Sequence, residues 1–208
     1  KKVADTRLTV RPVMCVFAGV AFLILVQPNL GTTLVVVAMV FAVLFAAAAP
    51  WGPLLGYGLV GGAVATFAAF GKSYRRDRLL SFLDPAKDPL NTGYQTLQSY
   101  YSIGSGGWFG KGPGEGTIKR ILPDAHTDFI FAVAAEEFGI VTCLLLVAIF
   151  GFIVMRGLLS SSRNEDPFCR FATAGLTMLV GIQSAINMAV NLRLIPAKGM
   201  TLPFISYG

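Results

Sequence analysis

Charge is scarce in this chain. Only 13% of its 208 residues are Asp, Glu, Lys or Arg, where a soluble domain carries about a quarter. Cysteine occurs three times, at Cys15, Cys143 and Cys169. No pair has the spacing of a zinc site or of a disulfide framework, and the first two lie in apolar runs, so all three read as small apolar residues. Histidine occurs once, at His126. No signal-peptide pattern opens the chain. It starts with Lys-Lys rather than Met and stops at "PFISYG", inside what reads as a loop, so a piece of a longer membrane protein is expected.

What is present is apolar. Hydrophobic residues make up 54% of the chain, and its mean hydropathy is +0.66. The formal net charge is +6. A basic balance can mean nucleic acid, but the long apolar runs point to an anionic lipid or lipid-linked partner and not to nucleic acid. Five segments read as membrane spans, roughly 12–26, 32–49, 54–71, 129–156 and 168–192, against the about 20 apolar residues that a spanning helix needs. Together they predict an all-α polytopic membrane protein, one helical bundle in a single integral membrane domain.

The basic residues orient the segments. Lys1, Lys2, Arg7 and Arg11 precede the first, and Arg156, Arg163 and Arg170 surround the link between the last two. The positive-inside rule places both groups in the cytoplasm, and the count of crossings agrees. Residues 72–127 then form a large extracytoplasmic loop, and the tail from about 193 is outside as well. That loop carries eight basic residues against five acidic ones, which is a great deal for an outer loop. Either a further crossing hides in 90–110, or the loop handles an anion. No uninterrupted apolar stretch of spanning length occurs there, which favours the anion.

The loop is too rich in Leu, Tyr, Trp and Phe to be filler. Residues 77–83 and 93–103 have helical compositions, and Trp108 with Phe109 could anchor such pieces at the membrane interface. "GSGGWFGKGPGEG" has seven glycines in thirteen residues. Freed backbone amides of this kind can cradle phosphate; the alternative is a tight structural turn. It is not a P-loop, because no Ser or Thr follows the Gly-Lys pair. Lys111, Lys119 and Arg120 add cations beside it.

"LPDAHTDFIF", residues 122 to 131, packs Asp124, His126, Thr127 and Asp128 against the mouth of the fourth segment. Glu136 and Glu137 lie about two turns further in, where a carboxylate needs an interior position and a partner. Gln183, Asn187 and Asn191 recur every fourth residue as one polar stripe on the fifth segment. They read as interhelical hydrogen bonding or as the wall of a substrate groove. Lys198 follows in "IPAKGMTLPFISYG". A carboxylate at a water–membrane boundary, near cations and glycine turns, suits a general base acting on a hydroxyl, with cations holding an anionic leaving group.

Five ordered stretches carry a resemblance: "QPNLGT", "RLLSFLDP.KDPL..GYQ..QS", "IGSGGWFGKG", "LPDAHTDFIFAVAAEEFG" and "IPAKGMTLPFISYG". They resemble the signature segments of the SEDS (shape, elongation, division and sporulation) membrane proteins, over nearly all of the chain from residue 27. The stretch from Lys111 to Gly139 looks more like the cell-division branch than the elongation branch. The resemblance implies a ten-helix bundle, of which these segments are the fifth to ninth. It implies a glycosyltransferase of the bacterial cytoplasmic membrane, at the division septum, that polymerises lipid II on the outer face with loss of undecaprenyl diphosphate. It identifies Asp128 with the essential aspartate of the family, here the general base. Lys111, Lys119, Arg120, His126, Lys198, Gln183, Asn187 and Asn191 are the expected substrate-binding residues, with Asp124 ranked below Asp128. Expected partners are lipid II, an undecaprenyl-diphosphate-linked glycan, a class B penicillin-binding protein and other divisome proteins. A divalent cation, Mg or Mn, is left open: Asn29 stands where the family usually has an aspartate, which weakens a two-carboxylate metal site. A lipid II flippase, using Glu136 and Glu137, and a non-catalytic divisome scaffold are the alternatives.

Overall fold

The computed structural model describes residues 10–26, 30–70, 82, 92–117, 119, 121–122, 125–196 and 199–207. Six helices follow in order among the described residues: α1 (Arg11–Val26), α2 (Leu30–Ala46), α3 (Trp51–Phe70), α4 (Thr92–Gly106), α5 (Ile130–Ser162) and α6 (Pro167–Asn191). No strand occurs among the described residues. The expected helix at 77–83 lies outside them except at Phe82, as do Asn29, Arg120, Asp124 and Lys198.

Among the described residues α5 and α6 are the helices long and apolar enough to cross a membrane. Only 17% of the most apolar stretch of α5 and 33% of that of α6 are buried within the chain. A core helix of a soluble protein would be mostly covered, so these surfaces are suited to lipid instead. Side chains such as Leu144, Phe152 and Leu176 point outward and stand more than half exposed.

The chain divides into two compact units. The first holds the N-terminal residues through Lys72 with Val154–Ile182. Its α1–α3 hairpins close around Val10, Met14, Leu44, Ala49 and Leu54, with Phe17, Phe41 and Tyr57 packed against them. Pro50 blocks continuation of α2, and Trp51 stacks edge-on against Phe45 at 5.3 Å. Pro167 occupies the first turn of α6, where its missing N–H costs nothing. Asp166 caps that turn, accepting from the Phe168 amide at 3.2 Å and the Cys169 amide at 3.4 Å.

The second unit holds Ser73–Ile153 with Gln183–Gly208. Leu122, Ala125, Phe129, Val133 and Val190 form its core, with Ile186 and Ile195 against them. Here α4 packs on α5 through its small residues. Ser99 and Ser102 are fully buried, and a Cβ on Gly106 would collide with the carbonyl of Ala135. The aromatic face of α4 turns the other way, leaving Tyr100 and Tyr101 more than half exposed.

The fourth segment reads in sequence as one uninterrupted apolar helix. The structure breaks it at Gly139, with φ 80° and ψ −179° inside α5, a conformation that a side chain does not tolerate. Such a break leaves carbonyls and amides without helical partners, which apolar surroundings do not forgive. The glycine-rich loop supplies them. The amides of Lys111 and Gly112 donate to the carbonyls of Glu136 and Glu137 at 2.9 and 3.0 Å. In return the amides of Ile140 and Val141 donate to the carbonyls of Gly107 and Trp108 at 2.9 and 3.3 Å. This close crossing needs Gly110, at φ 81°, where a Cβ would overlap the Glu137 carbonyl.

Candidate active site

Asp128 lies two residues before the first residue of α5, and its backbone is pinned. The His126 carbonyl accepts from the Tyr207 amide at 3.0 Å. The Thr127 carbonyl accepts from Ser206 Oγ at 2.6 Å. The Asp128 carbonyl accepts from Asn187 Nδ2 at 2.8 Å and from Asn191 Nδ2 at 3.0 Å. Three successive carbonyls are thus fixed by the end of α6 and the segment after it.

The Asp128 side chain is half-buried and faces residue 199. A Cβ built there would stand 3.4 Å from Asp128 Oδ2. Gly199 has φ 62°, so its lack of a side chain permits the turn and the close approach of the carboxylate. The 199–207 segment is held in turn by its own contacts. The Leu202 amide donates to Ser206 Oγ at 2.7 Å, and Leu202 is almost wholly buried. Gln183 Nε2 donates to the Thr201 carbonyl at 3.2 Å, and Asn187 Nδ2 to the Met200 carbonyl at 2.5 Å.

The stripe Gln183–Asn187–Asn191 therefore turns inward, onto backbone carbonyls. Asn187 is 1% exposed and Asn191 0%. His126, by contrast, is exposed beside Asp128. Arg120, Asp124 and Lys198 fall outside the described residues.

Lys111 and Lys119 are drawn elsewhere. Lys111 Nζ donates to Glu136 Oε1 at 2.9 Å, and Lys119 is ion-paired with Glu137. Glu136 is fully buried. It also accepts from the Thr117 amide at 2.9 Å, with the Thr117 and Ser102 hydroxyls at 3.2 Å. A carboxylate taken this far from water is stable only with such a full set of donors. The glycine loop is thus strapped to α5 by backbone ladder and charge together, and its two lysines meet carboxylates of their own chain. Ser102, Thr117, Gly199 and Ser206 drew no attention as site residues in the sequence, since lone small polar residues and glycines carry no periodic signal. The "PAKG" and "ISYG" stretches around the last two offered the available hint.

For the divalent cation left open above, no three of His, Cys, Asp and Glu converge among the described residues.

A bundle with outward-facing apolar helices, a helix break satisfied internally and a pinned carboxylate at a helix mouth defines an integral membrane protein of the helical class. Comparison with known proteins narrows this. A family profile described as "Cell cycle protein", covering FtsW, RodA and SpoVE, matches residues 1–208. The chain belongs to that family. It is 44% identical over 199 residues to a probable peptidoglycan glycosyltransferase FtsW of Alkalilimnicola ehrlichii, covering 94% of this chain and 50% of that one. It is 45% identical over 192 residues to the Caulobacter vibrioides protein of the same name, covering 92% and 48%. The chain thus spans about half the length of these curated relatives. A solved chain from a study of how a peptidoglycan synthase complex coordinates polymerization and crosslinking superposes with a TM-score of 0.77. It is 33% identical, covering all of this chain and 58% of that one. A mutant of the rod shape determining protein RodA of Thermus thermophilus gives 0.61 at 30% identity, covering 96% and 50%. The fold is therefore that of the SEDS proteins.

Proposed function

We propose that the protein containing this chain is a peptidoglycan glycosyltransferase that polymerises lipid II on the outer face of the cytoplasmic membrane, at the division septum, with Asp128 as general base. The observation that carries this is the half-buried Asp128 carboxylate, set on a fully tied backbone and facing Gly199. The relatives' name, peptidoglycan glycosyltransferase, supports the reaction class.

In this reading Asp128 takes the proton from the 4-hydroxyl of the acceptor's GlcNAc. That oxygen attacks C1 of the donor chain's MurNAc, the bond from C1 to the diphosphate oxygen breaks, and undecaprenyl diphosphate leaves. A base fixed before the reaction spares its reorganisation during it. The leaving diphosphate needs cations. Lys111 and Lys119 are neutralised by Glu136 and Glu137, so the assignment passes to Arg120 and Lys198. Lys198 immediately precedes Gly199 in sequence. His126 orients the loop.

A class B penicillin-binding protein is the proposed partner, supported by the neighbour drawn from a peptidoglycan synthase complex. The lipid II transporter reading would rest on Glu136 and Glu137, and both are already engaged by the glycine loop.

The test is glycan polymerisation from lipid II by the full-length protein with its transpeptidase partner. Asp128→Ala is expected to abolish it. Full activity in that variant would remove Asp128 as the base. Lipid translocation in vesicles without polymerisation by wild type would establish the transporter instead.

A further inference from the structure

We infer that Asn191, with Asn187, is a positioning residue that fixes Asp128 against the 199–202 segment, and not a substrate contact. The inference rests on the reading of Asp128 as general base.

The argument is an inventory of hydrogens. A carboxamide has two N–H donors and one carbonyl acceptor. Asn187 Nδ2 uses its donors on the carbonyls of Asp128 and Met200, at 2.8 and 2.5 Å. Asn191 Nδ2 uses its donors on the carbonyls of Asp128 and Asn187, at 3.0 and 2.9 Å. Asn191 Oδ1 accepts from the Ala132 amide at 3.1 Å. Ala132 lies in the first turn of α5, and its amide also donates to the Phe129 carbonyl at 3.0 Å, so Asn191 Oδ1 shares this donor with the backbone. Both side chains are buried to 1% exposure or less. Neither has a hydrogen left for a sugar, and neither reaches water.

The geometry gives these bonds a direction. Asn187 joins residue 128 to residue 200 through one nitrogen, so the two segments on either side of the carboxylate are tied together. Asn191 binds the same Asp128 carbonyl while capping α5 from another helix. The position of Asp128 is therefore set by α6, and the carboxylate meets Gly199 because residue 200 is held by the amide that holds residue 128. Gln183, on the Thr201 carbonyl, extends the tie by one residue.

Asn191→Asp separates the two tasks of this side chain. It is isosteric and keeps an acceptor for the Ala132 amide, but it loses both donors. Asn187→Ala and Asn191→Ala remove each tie entirely. All are made in the full-length protein with its transpeptidase partner. The expected result is a fall in kcat of about tenfold or more with KM for lipid II within about twofold. The acid limb of the pH–rate profile, which a general base sets, is expected to move. Hydrogen exchange in 199–207 is expected to quicken at the amides of Leu202 and Tyr207. A raised KM at unchanged kcat would make these asparagines substrate contacts and overturn the inference. So would Asn191→Asp behaving as wild type in rate, profile and exchange. If Asp128→Ala itself retains full polymerisation, the base reading falls and the positioning role with it, whereas quickened exchange alone would still report the structural tie. If Asp128→Ala is inactive and the asparagine variants leave rate and exchange unchanged, only the positioning inference falls.

Discussion

Around Glu136 a buried polar cluster is closed by charge; around Asn191 one is closed by amides. Both sit on helices that are otherwise apolar, and both tie a neighbouring segment to their helix through polar groups. The ionic cluster draws Lys111 and Lys119 onto Glu136 and Glu137 and leaves little net field for an anion. The amide cluster is neutral and spends itself on backbone carbonyls. It therefore adds no competing charge beside Asp128. One region uses its titratable groups to build structure. The other uses uncharged groups for structure and leaves the carboxylate half-buried beside a glycine. The comparison separates carboxylates that hold the glycine loop to α5 from the one proposed above as the base, a distinction that burial or charge alone would miss.

The largest expected effect falls on the second region. Asp128→Asn, measured as glycan polymerisation by the full protein, should lower the rate by at least the about 10²–10⁴-fold that general-base catalysis contributes, with the melting temperature in detergent unchanged. An equal loss from Glu136→Gln at unchanged stability would erase the contrast between the regions. The next effect belongs to the first region. Glu136→Ala removes the acceptor shared by Lys111, Thr117 and Ser102, leaving Ser102 on the Ala132 carbonyl and Lys111 partly exposed, and should cost about 1–3 kcal/mol of stability. Glu137→Ala should cost less, because Glu137 is itself partly exposed where Glu136 is fully buried and holds more donors. A chemical-denaturation series on both variants would rank them. Gly139→Ala comes third. The added Cβ meets the Trp108 carbonyl and the backbone loses a conformation only glycine adopts readily, a strain of about 1–3 kcal/mol. Loosening of the 106–112 loop, read by limited proteolysis, should accompany it. The smallest effect lies outside both regions, at the α6 cap. Asp166 is held below its usual pKa by hydrogen bonds from the Cys169 side chain and from the Phe168 and Cys169 amides. A depressed carboxylate contributes stability above its unfolded pKa, and that contribution fades as pH falls through the lower folded value. Asp166→Ala should therefore give a slight loss at neutral pH that vanishes in acid, seen by thermal melts across pH.

Much of this was legible in the residues. Apolar runs announced the helices, because a spanning helix must be apolar along its whole length. The helical composition of 93–103 falls within the observed α4. The density of polar groups at 124–128 marked a candidate loop, of which residues 125–128 are described. The four-residue spacing of Gln183, Asn187 and Asn191 announced a polar stripe but left open whether it faced a groove or a neighbour. Spacing fixes the face of a helix, not what lies opposite. The break at Gly139 was hidden for a related reason. A glycine in an apolar run is ordinary, and its φ is set by the loop that docks there.

The sequence by itself determined that this protein is a helical membrane protein, and its motifs determined the family. Both follow from local composition and order. Only the tertiary structure decided which charges are spent. Whether Lys111 meets a substrate or Glu136, and whether Asn191 lines a groove or ties down Asp128, depends on residues between 25 and 63 positions away in the chain. Such pairings come from how helices and loops pack, and a linear pattern does not encode them.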